Sequence, residues 1–231
     1  MIDIKQIDAL DEIKNMPDNS IDLIFSDPPY WTLNKYRAIG TTTRLGGNKK
    51  EENRDESKWF ETIDENELFE FMCHCYRVLK NDRHALIMCD GQTLRWVLGY
   101  AEEASFNYYK PLVWDKVYQG MGYHFRSRHE YIVVLDKGKN RKPKNLGLPD
   151  IITIPMIKNN IYPTEKPIEL SKLFIEQYTE EGETVLDPFC GGGSTMIAAK
   201  MLNRNGIGFD SNIEAINLTK DRLNKIDNYI I

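Results

Sequence analysis

A chain of 231 residues with 41% hydrophobic side chains is long enough for one domain with a substantial core and too short for two ordinary catalytic domains. Its apolar stretches fall short of the roughly twenty residues that a membrane helix needs, and Met1-Ile2-Asp3-Ile4-Lys5 lacks the apolar centre of a secretion signal, so a soluble cytoplasmic protein is expected. A formal net charge of -5 gives no overall pull on a polyanion, so nucleic-acid contact would have to come from local basic clusters; Cys73, Cys75, Cys89 and Cys190 lack the spacing of a disulfide scaffold and are expected as free thiols.

Along the chain, short apolar runs alternate with amphipathic segments, the pattern of an α/β domain with a mostly parallel sheet. Residues 2–7 and 21–25 read as strands. The second runs into Ser26-Asp27-Pro28-Pro29-Tyr30, where proline must stop the ladder, so the strand hands its next residues to the edge of the sheet. A polar loop from Thr32 to Lys58 follows, with Lys35, Arg37, Arg44, Lys49, Lys50, Arg54 and Lys58 mixed among acidic residues. Between Glu65 and Lys80, Leu68, Phe71, Met72, Cys75, Tyr76 and Leu79 recur at three- and four-residue spacing and predict one buried helical face. Cys73 then lies roughly 200° around that helix from Cys75, so Cys73-His74-Cys75 cannot chelate a metal.

Residues 85–89 predict a buried strand, 94–104 a helix, 112–114 a short strand and 131–135 a strand rich in β-branched residues. Lys137, Lys139, Arg141, Lys142 and Lys144 then crowd a stretch with glycine and proline, a candidate contact for phosphates although such runs are ordinarily solvated loops. Tyr162-Pro163-Thr164-Glu165-Lys166-Pro167 leads into a helix with Leu170, Leu173, Phe174 and Tyr178 inward. A strand at 184–186, a glycine turn, a helix over 194–202, a strand at 207–209 and a last helix from about Ile213 complete the reading.

Two constellations carry chemistry. Val185-Leu186-Asp187-Pro188-Phe189-Cys190-Gly191-Gly192-Gly193-Ser194-Thr195 is a strand, a glycine turn and a helix start, where backbone can approach a ligand closely and unpaired N–H groups point outward. About twenty residues on, a strand ends in Asp210, whose carboxylate can accept from both hydroxyls of a ribose. The turn lacks the lysine of a phosphate-binding loop, which favours a nucleoside ligand without phosphates. In Asp27-Pro28-Pro29-Tyr30 the prolines stiffen the backbone, Asp27 offers a carboxylate and Tyr30 a flat apolar face, a set able to grip an aromatic amine.

The Asp27-Pro28-Pro29-Tyr30 and Asp187-Pro188-Phe189-Cys190-Gly191-Gly192-Gly193-Ser194 segments, with Pro163-Thr164-Glu165-Lys166-Pro167 before the second, resemble those of the amino-methyltransferases of DNA over nearly the whole chain. Their order, catalytic segment first, resembles the permuted beta class. Trp114-Asp115-Lys116 and Arg128-His129-Glu130-Tyr131 with Lys137-Gly138 also resemble segments of that family. The resemblance implies a single Rossmann-like α/β domain with a mostly parallel seven-stranded sheet flanked by helices. Residues 1–135 would form its catalytic region, 138–161 a small target-recognition segment and 162–231 the cofactor-binding region. It implies S-adenosyl-L-methionine as cofactor and double-stranded DNA as partner, and it leaves room for a homodimer and for a partner restriction endonuclease. Asp27, Pro28, Pro29 and Tyr30 would be catalytic. Asp27, Asp187, Phe189, Gly191, Gly193, Ser194 and Asp210 would line the cofactor site, Thr164 and Lys166 would close it, and Asp8 would contact the adenine ring or merely cap a helix.

This sequence departs from the family in Tyr162 where histidine is usual, in Gly191-Gly192-Gly193-Ser194 where Gly-Ser-Gly-Thr is commoner, and in Asp210 where glutamate is common. The absence of any Pro-Cys dipeptide argues against cytosine C5 chemistry, which needs a cysteine nucleophile. The expected reaction is methylation of adenine N6; cytosine N4, an RNA base, and a catalytically silent DNA-binding relative are the alternatives.

Overall fold

The computed structural model describes residues 1–31, 62–120, 125–139, 142–158, 162 and 164–229. The loop expected from Thr32 to Lys58, with its basic cluster, lies outside the described residues, as do Arg141 and Pro163.

Apolar runs become strands β1 (Ile2–Gln6), β2 (Ile21–Ser26), β3 (Leu79–Cys89), β4 (Asn107–Asp115), β5 (His129–Lys137), β6 (Ile151–Thr153), β7 (Thr184–Asp187) and β8 (Asn205–Asp210). Between them run helices α1 (Ala9–Ile13), α2 (Glu65–Val78), α3 (Leu94–Glu103), α4 (Ile168–Tyr178), α5 (Ser194–Met201) and α6 (Ile213–Tyr229). The strands form one sheet in the order β1-β8-β7-β2-β3-β5-β4-β6. Among the described strands only β5 runs against its neighbours, pairing antiparallel with both β3 and β4. All six residues of β2 are buried, as a strand near the middle of a sheet covered on both faces requires.

Alternation along the strands divides the core. Ile24, Ile87, Val133 and Leu135 pack with Leu68, Phe71 and Met72 of α2 and Val97 of α3, whereas Phe25, Leu86, Met88 and Val134 pack with Leu170 and Phe174 of α4 and Ala198 of α5. Helix α2 opens with a capping box in which Asp64 and Glu67 satisfy each other's backbone amides. Cys75 is buried on its inner face and Cys73 is half-buried, as the helical spacing requires. Among the described residues no helix is long and apolar enough to cross a membrane.

Among the described residues the sheet has eight strands, one more than the seven expected. The addition is β6, three residues from the proposed target-recognition segment laid parallel against β4. The described residues of that segment run from the amino edge of the sheet to the carboxyl edge. Just before it, at the end of β5, Lys137 is nearly buried, its ammonium donating to the Leu79 carbonyl at 2.7 Å and the Asn19 side chain at 2.9 Å. The Lys139 amide donates to Asp82 at 2.7 Å, and Lys144 reaches the Thr179 carbonyl and Glu180 at 2.7 Å each. Because β5 ends where β3 begins, with Lys137 paired to Arg83, these lysines are anchored at the amino edge of the sheet. That edge is roughly 20 Å along the strands from the end of β3. β6 then carries the chain back to the carboxyl edge, where Ile154 and Met156 donate backbone bonds to Asp115 and Lys116.

Candidate active site

The parallel strands β1, β2, β3, β7 and β8 all finish at the carboxyl edge, and the reversed β5 begins there. A cavity of about 480 Å³ opens at that edge, lined by Asp8 after β1, Asp27 to Tyr30 after β2, Cys89 and Asp90 at the end of β3, Glu130 at the start of β5, Tyr162 and Thr164 to Lys166 before α4, and Asp187 to Gly192 with Asp210 from the last two strands. Both constellations therefore share one cavity, the place where open α/β sheets hold ligands. Of the residues assigned from sequence, all but Gly193 line it.

The glycine turn is shaped by what presses on it. Gly191 has φ +48°, and a Cβ there would come within 2.8 Å of the Tyr162 ring, so the tyrosine found where histidine is usual seats on bare backbone. Gly193, with φ +79°, leads into α5 and lies against Thr219 of α6, where a Cβ would meet Oγ1 at 2.5 Å. Thr219 also donates to the Gly191 carbonyl at 2.8 Å. Arg222, one turn along, donates to the Gly192 carbonyl and pairs with the nearly buried Glu165 at 2.7 Å, so α6 ties the turn to the segment before α4. Ser194 contributes to the same join, its hydroxyl donating to the Lys166 carbonyl at 2.6 Å.

The carboxylates differ in what they already hold. Asp210 accepts from the amides of Gly191 at 3.0 Å and Asn212 at 2.8 Å, one on each oxygen. A carboxylate has about four acceptor sites, so lone pairs remain for a diol. Asp187 accepts from the Phe189 amide at 3.3 Å, and burial pushes its carboxyl up to about 7 against the opposing hydrogen bond from Thr195. Asp8 caps α1, accepting from Leu10 at 2.9 Å and Asp11 at 3.1 Å, and still borders the cavity, so the cap and the lining position coincide. A cradle of bare backbone, acceptor carboxylates and the Phe189 ring, with no lysine on the turn, fits a nucleoside without phosphates, the chemistry of S-adenosyl-L-methionine.

The same cavity is bordered by Asp27, just past β2, with 33% of its side chain accessible. The Pro29 carbonyl accepts from the Ile63 amide at 2.9 Å, in a bridge that fixes the turn. Tyr30 is 4% exposed and its hydroxyl donates to the Met88 carbonyl at 2.9 Å, so the ring offers the cavity a fixed surface. Lys166, expected to close the cofactor site, borders the cavity with its ammonium engaged: it pairs with Oδ2 of Asp27 and lies 3.5 Å from Glu130. Lys116 pairs with the other Glu130 oxygen at 3.0 Å. Burial raises the Asp27 carboxyl above the usual carboxylate range although Lys166 opposes it. Sequence reasoning did not single out Glu130, Thr219 or Arg222. Only Glu130 had a signal, its place in the Arg128-His129-Glu130-Tyr131 segment.

Comparison with known proteins agrees with this geometry. The chain is 30% identical to the type II methyltransferase M.HpaI of Haemophilus parainfluenzae, over 93% of this chain and 72% of that protein. The crystal structure of the M1.HpyAVI–SAM complex superposes with a TM-score of 0.70 at 24% identity, covering 96% of this chain and 100% of that one. The cytosine-N4-specific PvuII DNA methyltransferase superposes with a TM-score of 0.70 at 17% identity, covering 99% and 92%. At these identities the two structures speak for the fold alone. A family model described as DNA methylase matches residues 21–153 and 151–221, nearly the whole sheet, and the chain therefore belongs to the N6/N4 DNA methylase family.

Proposed function

We propose that the chain transfers a methyl group from S-adenosyl-L-methionine to the exocyclic N6 of adenine in double-stranded DNA. The observation that carries this reading is the meeting of Asp27, on its proline-stiffened turn, with the glycine turn, Asp187 and Asp210 at one cavity. When bound, S-adenosyl-L-methionine supplies an electrophilic methyl on a sulfonium sulfur. Asp210 holds the ribose hydroxyls with its remaining lone pairs; Asp187, Phe189 and Gly191 form the methionine and ribose part of the site, with Gly193 shaping the turn from behind, Thr164 and Ser194 at its margin and Asp8 toward the adenine.

An adenine amine is a poor nucleophile because its lone pair is delocalised into the ring. Asp27 and the Pro28 carbonyl would accept hydrogen bonds from the two N–H groups, turning the lone pair toward the methyl and stabilising the positive charge that grows on nitrogen as the methyl's bond to sulfur breaks; one amine proton would then leave to Asp27 or to water. Positioning supplies the rest of the catalysis, with no covalent enzyme intermediate. In a duplex the base must first leave the stack at a cost of a few kcal/mol, partly offset by contact with Tyr30. The duplex meets the carboxyl edge, where the chain after β4 and after β6 presents Tyr118 with Lys158 at 4.3 Å over its ring, together with exposed Phe125 and Arg126.

Adenine is preferred to cytosine because cytosine-N4 enzymes more often carry serine where Asp27 stands. The test is expression in a host without DNA methylation, digestion of its DNA and analysis of the nucleosides, with modification-sensitive sequencing to find the site. N6-methyladenine is the expected product. N4-methylcytosine would move the assignment to the second base, and DNA without any new methylated nucleoside would refute both.

A further inference from the structure

Asp27, Lys166, Glu130 and Lys116 form an alternating row of charges from the cavity into the protein. Lys166 donates to Asp27 Oδ2; Glu130 offers one oxygen to Lys166 at 3.5 Å and the other to Lys116 at 3.0 Å. Three chain segments distant in sequence supply the row: the turn after β2, the segment before α4, and the paired ends of β4 and β5. The side chains of Lys166 and Lys116 are each 17% exposed and that of Glu130 is 25% exposed. Withdrawing charges from water is expensive, and apolar residues of similar volume commonly give equal or greater stability. Fold stability is therefore a weak reason for such a row at the cavity wall.

We propose that Lys166 and Glu130 are positioning residues for methyl transfer: Lys166 holds Asp27 Oδ2, Glu130 and Lys116 keep Lys166 in place, and Oδ1 is thereby presented, ionised, to the substrate amine. The proposal rests on the reading of Asp27 as the acceptor of that amine. It gives Lys166 a different task from closing the cofactor site. Burial pushes Asp27 upward, Lys166 opposes that, and the like charge of Glu130 adds to it. Burial would also raise Glu130, but Lys166 and Lys116 outweigh it and hold its carboxyl below its ordinary value. The other titratable groups around Asp27 are Tyr30 beside it, Cys89 on β3, Tyr162 before α4 and Asp187 on β7, and all stay in place in the variants below.

The experiment measures single-turnover methylation of a duplex carrying the site found by sequencing, at saturating S-adenosyl-L-methionine, across pH, for wild type, Lys166→Met, Lys166→Arg and Glu130→Gln. Thermal melting checks each fold, and calorimetry gives cofactor affinity. Lys166→Met should lower the saturated rate by about a hundred-fold, the scale set by loss of a positioned geometry. Its acid limb should move to higher pH, because burial of Asp27 is no longer opposed. Glu130→Gln should move the limb to lower pH, since a like charge is gone and Lys166 is undivided. Lys166→Arg, which keeps the cation, should recover part of the rate.

Opposite movement of the two limbs is the signature that a merely structural ion pair would not give. Limbs moving the same way, a Lys166→Met rate within about threefold of wild type, or a loss recovered by adding cofactor would overturn the proposal; the last would make Lys166 a cofactor contact. If Lys166→Met fails to fold, the Glu130→Gln limb and the Lys166→Arg rate decide. A wild-type protein that leaves DNA unmodified would sink the underlying function itself, and that is seen before any variant is made.

Discussion

Gly193→Ala is expected to destabilise the protein by about 2–5 kcal/mol, a figure with two sources. At φ +79° an alanine would occupy the left-handed region, which costs an L residue about 1–2 kcal/mol. Its Cβ would also lie 2.5 Å from Thr219 Oγ1 and 2.9 Å from Thr219 Cβ, and that threonine is fully buried and tied to the Gly191 carbonyl. Forcing such a contact costs about 1–3 kcal/mol. Urea unfolding of wild type, Gly193→Ala, Thr219→Ala and the double variant measures both parts, provided the slope with urea is unchanged. Thr219→Ala alone gives up one hydrogen bond, about 1 kcal/mol. In the double variant the contacts with Oγ1 and Cγ2 are gone, while the 2.9 Å approach to the Cβ that alanine keeps at position 219 and the backbone penalty stay, so the cycle should show a favourable coupling of about 0.5–2 kcal/mol. Strict additivity, or a Gly193→Ala cost under about 1 kcal/mol, would refute the claim that α6 moulds the glycine turn.

Three further outcomes follow from the site. Asp27→Ala should abolish single-turnover methylation even at saturating cofactor, whereas much of the loss in Asp210→Ala should return as cofactor is added; a near-normal rate for Asp27→Ala would remove the role assigned to the turn after β2. Replacing Lys139 and Lys142 with alanine should leave DNA affinity and its salt dependence unchanged, because their segment is anchored at the far edge of the sheet; a shallower salt slope would return phosphate contacts to it. Asp187 titrates near 3.8 when unfolded and at about 7 in the cavity, so the folded protein keeps a proton the unfolded chain releases. Stability of the ligand-free protein should accordingly fall as pH rises between those values, by up to roughly 4 kcal/mol from this group. Asp187→Asn should flatten that decline in melting temperature, and an identical decline in the variant would contradict the assignment.

What could be read before folding, and what could not, divides along physical lines. β2, α2 and β7 were visible because each buries a continuous run or a helical stripe, although Leu79, read as the end of that stripe, is the first residue of β3. β4 was half hidden: Tyr108-Tyr109-Lys110 is polar or exposed, and Pro111 breaks the usual strand pattern, yet the chain absorbs it at a register irregularity between Tyr108 and Pro111. The first half of β3 was hidden likewise, since Lys80 to Arg83 lie toward solvent before the run from His84 to Cys89 becomes buried. β6 is three residues long with Ile151 and Thr153 exposed, too little for any pattern to register. At the site, Asp27, Asp187 and Asp210 were legible because each follows an apolar run. Glu130 precedes one, and only the reversal of β5 turns the start of a strand into part of the carboxyl edge. Thr219 and Arg222 lie about thirty residues past the turn they shape, on a helix whose amphipathic pattern says nothing of a contact with glycine.

The reversed strand also fixes how much play the reacting end of the cavity has. A parallel strand offers its edge residues just as the chain leaves the ladder, so Asp27 hangs from a turn that needs two prolines for stiffness. Glu130 stands one residue inside the ladder, opposite Trp114, whose indole is itself pinned to the Ile154 carbonyl at 2.8 Å. The Asp27 carboxylate is thus braced, through Lys166, against a girder of the sheet, as a workpiece is set against a fixed stop. Differences in the DNA sequence presented to the enzyme have to be absorbed elsewhere along the rim, in connections that can change length and composition while the stop keeps its place.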